Sequence, residues 1–139
     1  MRPHLRLSAQ GAAAAEVVWE RYASLDLWPT WSPQIRRVDA AATRLAAGLE
    51  GRVHGPAGVA VEFVVTAVDE SARTWTWRII AVGRPPLRMP MPLQLAHAVA
   101  GSASGTTTTL TLSGPVRAAP VIAAYAPVAR LALGRLVRP

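Results

Sequence analysis

The chain contains neither cysteine nor lysine. Without cysteine there is no thiol nucleophile, no thiolate metal site and no disulfide. Without lysine there is no internal Schiff base and no ammonium to hold a nucleotide's phosphates. Phenylalanine occurs once and tyrosine twice, against five tryptophans, so indoles carry most of the aromatic surface. Acidic residues number eight against fifteen basic ones, and no two carboxylates are placed for acid–base work on a sugar. The histidines (His4, His54, His97) show neither His-x-His nor helical i, i+4 spacing, so no metal site is expected. The glycine-rich run at 48–58 lacks the dinucleotide order and any strand-to-helix context, and no cofactor is expected. Long apolar runs are missing too. The longest, Ala118 to Ala129, is interrupted by Pro120 and Pro127 and stops at Arg130, short of the ~20 residues of a membrane span. The opening Met1-Arg-Pro-His-Leu-Arg-Leu-Ser has no apolar run of leader length. A cytoplasmic protein with no transmembrane segment is the expectation.

At 139 residues, 51% hydrophobic and 17% charged, the composition predicts one globular domain over 1–139. The net charge is +7, yet its arginines are spread along the chain. No RNA-binding aromatic signature or zinc-finger spacing accompanies them, so nucleic acid is not an expected partner.

Residues 4–10 alternate and predict an opening strand. Ala12 to Tyr22 predicts a helix, with Ala15, Val18, Trp19 and Tyr22 on one buried stripe. Then comes Leu25-Asp-Leu-Trp28-Pro29-Thr-Trp31-Ser-Pro33, a broken second helix or turn, because each proline fixes φ and restricts the residue before it. Strands are predicted over Ile35–Ala40, loosely continued to Ala46, and near Gly48–Gly55. Val59–Val68 and Arg73–Val82 alternate strongly, with Phe63 on the apolar face of the first and Trp75, Trp77 and Ile79 on that of the second. Glu62 and Arg78 fall on the opposite faces and are read as a cross-strand pair. Gly83–Pro92, holding four prolines, reads as a loop or a crossing without hydrogen bonds. Leu93, Leu95, His97 and Val99 share a strand face, Thr106–Ser113 is a β-branched strand, and Val116–Val137 is a long helix kinked at Pro127. A meander of strands with helices at its two ends is α+β.

These residues resemble a known family. Val17-Val18-Trp19-Glu20 and Leu25-Asp-Leu-Trp-Pro-Thr-Trp-Ser-Pro33, followed by Asp69-Glu70, Trp75-Thr-Trp77, His97, Gly105-Thr106 and Gly114-Pro115, look like the polyketide cyclase/dehydrase and lipid-transport group of the START-like (SRPBCC) superfamily. The resemblance implies the helix-grip fold: a curved antiparallel sheet of about six to seven strands around a long C-terminal helix, with two short helices after the first strand. It also implies an apolar cavity between sheet and helix that binds a hydrophobic small molecule, lipid or polyketide-like. An aromatase/cyclase or dehydratase acting in that cavity is the alternative.

Each candidate residue carries two readings. Trp28 and Trp31 either seal the core or cover the cavity mouth, where an indole stacks on a flat ligand. Phe63, Trp75, Trp77 and Leu95 are cavity wall or core filling. His97 is either a structurally satisfied histidine or a catalytic group whose near-neutral pKa suits proton transfer. Burial would favour its neutral form. Tyr125, on the closing helix, either presents its hydroxyl to the cavity beside His97 or packs its ring. The arginine-rich exterior suits an acidic protein partner such as an acyl carrier. A monomer or a homodimer is compatible with the sequence.

Overall fold

The computed structural model describes residues 3–139. Alternating apolar and polar residues build seven strands within that range: β1 (His4–Gly11), β2 (Arg37–Ala40), β3 (Glu50–His54), β4 (Ala60–Asp69), β5 (Thr74–Gly83), β6 (Met89–Ser102) and β7 (Gly105–Ser113). They pair antiparallel in one sheet of order β1-β7-β6-β5-β4-β3-β2. Strands β2 to β7 form a meander, and β1 returns beside β7 with Leu5 opposite Leu112 and Leu7 opposite Leu110. Helices α1 (Ala15–Ala23) and α2 (Trp28–Trp31) fill the connection from β1 to β2, and α3 (Ala119–Leu136) follows the last strand. Register shifts at Glu62/Phe63 and Val65/Ala67 in β4 and at Ile79/Ala81 in β5 are the irregularities that bend a sheet.

Helix α3 buries Ile122, Ala126, Ala129, Ala132, Leu133 and Leu136 on one face. By length and apolarity Val116–Leu136 would qualify as a membrane span, contrary to the expectation from its prolines. Its buried stripe, packed along β1 and against β7, makes it the core helix. The helix runs unbroken through Pro127. Pro127 cannot serve the carbonyl of Ala123, but both residues face solvent, so the missing bond leaves no buried orphan. Where α3 ends, Gly11 has no room for a side chain: a Cβ there would sit 2.2 Å from the Val137 carbonyl oxygen.

Four carbonyls at the C-terminus of an α-helix have no partner within it. In α1 each finds one outside. Ser24 N–H donates to the Glu20 carbonyl at 3.0 Å and Leu45 N–H to Ala23 at 2.8 Å. The Arg21 and Tyr22 carbonyls accept from the indole N–H groups of Trp31 and Trp28, both at 2.8 Å. The two tryptophans are thus spent on ending α1. The segment around Thr43–Leu45 serves the same end and is not the continuation of β2 expected from sequence: Leu25 N–H also donates to Thr43 O at 2.8 Å.

Two further expectations change. Met89–Pro92, read as loop, opens β6, with Pro90 opposite Ala81 and Met89 opposite Val82. β7 pairs with β6 only from Gln94 onward, so the prolines occupy an overhang with a single neighbour, where a missing amide is tolerated. Glu62 does not pair with Arg78. Its carboxylate accepts from Arg88 Nε at 2.5 Å, while Arg78 lies opposite Val64 and Gln94.

Candidate functional site

Two voids separate the sheet from α3. The larger, about 230 Å³, is walled by Val53, Ile79, Leu95 and Leu112 from the sheet and by Val121 and Tyr125 from the helix. The smaller, about 30 Å³, lies among Trp28, Trp31, Trp75, His97 and Leu133. Ile35, Trp77 and Tyr125 border both voids and form the partition between them. Among the described residues none lining the larger void is charged, and only Gln34, Tyr125 and Trp77 bring polar side-chain atoms to it.

The Trp77 N–H is already engaged. It donates to His97 Nε2 at 3.0 Å. Since Nε2 accepts, the imidazole is neutral and carries its proton on Nδ1. Nδ1 lies 3.1 Å from the Tyr22 hydroxyl, so it donates there. The Tyr22 proton then goes to Thr108 Oγ1 at 2.6 Å, and the Thr108 hydroxyl donates to the Ala98 carbonyl at 3.3 Å. The direction of every bond in this relay follows from the indole, which can only donate. His97 also stacks on Trp75, with ring centroids 4.4 Å apart and planes 7° from parallel. Desolvation holds its pKa down at about 3. The same burial raises the Tyr22 phenol above its ordinary value, although the Thr108 hydrogen bond opposes it.

Tyr125 is placed differently. Its hydroxyl receives Gln34 Nε2 at 3.4 Å, the far limit of a hydrogen bond, and its own proton has no acceptor in the protein among the described residues. Burial raises its pKa, with the Gln34 contact opposing, so at neutral pH it is a protonated donor. Gln34 Oε1 is buried without a partner.

Of the residues singled out from sequence, Trp77, Leu95 and Tyr125 meet at the larger void. Trp28, Trp31, Trp75 and His97 surround the smaller one, with Tyr125 at its edge. Phe63 borders neither: it is 1% exposed and packs between Trp28 and Trp77 at centroid distances of 5.8 and 5.3 Å. Sequence reasoning missed Tyr22 and Gln34. A tyrosine inside a fully buried helix stripe is itself a signal, because its hydroxyl must find a partner there. Gln34, between Pro33 and Ile35, carries no such mark. His54 meets Asp39 at 2.7 Å on the exposed edge, and no cluster of metal-ligating side chains occurs among the described residues.

A bent antiparallel sheet wrapped on a C-terminal helix, with an apolar void between them, defines a helix-grip domain. Residues 2–139 match the model of the family described as polyketide cyclase / dehydrase and lipid transport, and the chain belongs to that family, within the START-like (SRPBCC) superfamily. No curated protein matches the sequence. Among solved structures, DynU16, a protein of the dynemicin biosynthetic locus, is similar with a TM-score of 0.77 at 21% identity. The match covers 96% of this chain and 45% of DynU16, so this chain spans about half of that protein. A protein from Nitrosospira multiformis is similar with a TM-score of 0.74 at 16% identity, covering 97% of this chain and 94% of that one. Ara h 8.0201 follows with a TM-score of 0.69 at 11% identity, covering 96% and 95%. At these identities the likeness is one of fold.

Proposed function

We propose that this protein is a cytoplasmic binder of a hydrophobic small molecule, lipid or polyketide-like, held in the larger void between sheet and α3. The observation that carries this reading is the void of about 230 Å³, walled mostly by aliphatic side chains and the Trp77 indole, with no charged side chain among the described residues. Such concave apolar sites with a few polar groups are where small ligands bind. Trp77, Leu95 and Tyr125 are the proposed contacts. Trp28, Trp31, Phe63 and Trp75 act behind them as support. Native mass spectrometry and tryptophan quenching against a panel of lipids and aromatic polyketide-like compounds test the reading. A bound species is expected, and Val121→Phe, at the half-exposed rim, is expected to weaken it. A panel without any bound species or quenching would remove the reading.

An enzyme acting in the same void, a cyclase or dehydratase, draws support from one group, the Tyr125 hydroxyl, a protonated donor on the void wall. His97 supports it less, since both its ring nitrogens are engaged. Turnover abolished in Tyr125→Phe but retained in His97→Gln is the outcome that fits this alternative.

An acidic partner such as an acyl carrier also belongs to the proposal. Arg84, Arg88 and Arg117 are exposed around the β5–β6 turn and the entry to α3, the end at which Val82 and Val121 border the void. Binding to such a partner by a monomer or homodimer would weaken steeply with salt.

A further inference from the structure

The larger void is chemically specific in what it lacks. Among the described residues no arginine belongs to its lining, and no histidine or carboxylate replaces one. A carboxylate or phosphate enclosed there would give up its hydration with no cation in return, a penalty of several kcal/mol. The void is also smaller than the roughly 300–1,000 Å³ of sites for drug-sized ligands, and the indole of Trp77 is part of its wall.

What the void offers instead is one complementary pair. Tyr125 has a hydroxyl proton without an acceptor in the protein, and Gln34 has a buried amide oxygen without a donor. The two side chains already touch at 3.4 Å, so both can reach one ligand atom. Rotation about the last side-chain bond of Gln34 presents either end of the amide, and in either orientation one polar atom lacks a partner. Tyr125 also borders the smaller void, whereas Val121, one turn earlier on α3, is 36% exposed. Tyr125 therefore lies on the inner side of the void, and the half-buried Gln34 reaches it there. One common functional group donates and accepts at a single atom: the hydroxyl.

Resting on the cavity reading above, we infer that the ligand is a neutral compound of one or two rings whose hydroxyl meets this pair, its O–H donating to Gln34 Oε1 and its oxygen accepting from the Tyr125 hydroxyl. The rings lie against Trp77 and the aliphatic wall. Phenols and cyclic alcohols belong to this class; fatty acids and anionic lipid heads do not.

Three probes of matched shape separate the possibilities: 2-naphthol, naphthalene and 2-naphthoate, titrated by calorimetry against the intact protein at neutral pH. Naphthol is expected to bind roughly tenfold more tightly than naphthalene, the worth of one or two hydrogen bonds that satisfy buried groups. Naphthoate is expected to bind at least tenfold more weakly than naphthol. Tyr125→Phe and Gln34→Leu should each narrow the preference for naphthol over naphthalene to within about threefold. Should either variant fail to melt cooperatively, the three titrations on the unaltered protein still decide. Equal affinity for naphthol and naphthalene, or naphthoate as the tightest ligand, overturns the hydroxyl inference and leaves the cavity reading standing. Binding of none of the three overturns both.

Discussion

The indole N–H of Trp77 points at Nε2 of His97 across 3.0 Å, and this contact fixes the protonation state of the imidazole. Protonation would set two N–H groups against each other in a buried site.

The consequence is acid sensitivity from His97. Its folded pKa is depressed to about 3, against about 6.5 in the unfolded chain. Between those values the unfolded chain binds a proton that the folded protein refuses, so the His97 contribution is complete above pH ~6.5 and is lost as pH falls. The slope approaches at most about 1.4 kcal/mol per pH unit. Urea midpoints at pH 7, 5 and 4 should fall in the unaltered protein and fall less in His97→Gln. Asp39 and Asp69 add their own acid sensitivity. The His54 hydrogen bond and the Ala72 amide, respectively, hold their carboxyls low, so their contributions fade only below the ordinary carboxylate range. Comparing the two proteins at each pH isolates His97.

Tyr22→Phe strands the Nδ1 proton of His97. The imidazole cannot escape by moving that proton, because Nε2 must still accept from Trp77. A loss of about 1–3 kcal/mol in equilibrium unfolding is expected. Thr108→Val leaves the His97–Tyr22 bond in place but strands the Tyr22 hydroxyl proton, so a loss of similar size is expected.

The Trp-Pro-x-Trp segment should behave as a helix terminator. Trp31→Phe keeps most of the packing but orphans the Arg21 carbonyl. Trp28→Phe does the same to Tyr22 O, deeper in the core. Each is expected to cost about 1–3 kcal/mol, visible as a lower urea midpoint, with the larger effect at Trp28. If these residues worked chiefly as a lid, ligand affinity would change and the midpoint would not.

Two glycine substitutions should have opposite signs. Gly11→Ala drives its methyl into the Val137 carbonyl, and overpacking of this kind costs roughly 1–3 kcal/mol. Gly134 lies inside α3, and a Cβ there meets nothing within 4 Å. Gly134→Ala should therefore stabilise by about 0.5–1 kcal/mol through helix propensity. Thermal melts of the two variants on either side of the unaltered protein would bear this out.

How much of this was visible in the linear chain depends on what each residue had to satisfy. The strands from Val59, Arg73 and Thr106 matched β4, β5 and β7 to within a residue or so, because a half-buried strand puts every second residue inside and the alternation records it. The prolines at 90 and 92 misled, since a missing amide matters only where a neighbouring strand asks for it. That depends on where β7 stops, which is not a local property. The Arg88 partner of Glu62 arrives from beyond a turn, and face-sharing alone suggested Arg78. Within the site, Trp77, Leu95 and Tyr125 followed from strand phase and helix position. The indole hydrogen bonds to α1 did not, because they depend on how α2 folds back under the preceding helix. Gln34 was invisible for the same reason.

The Trp28 and Trp31 hydrogen bonds to α1 also bear on how this scaffold could change its ligand. At the inner end, altering Trp28, Trp31 or His97 disturbs a helix end or a buried relay together with the smaller void. At the outer end, Val61, Val82 and Val121 border the larger void with no polar side-chain atom to satisfy. Reshaping that rim changes little beyond its own packing. Ligand preference should therefore drift readily at the rim, whereas the inner end resists change because each of its side chains is held by more than the ligand.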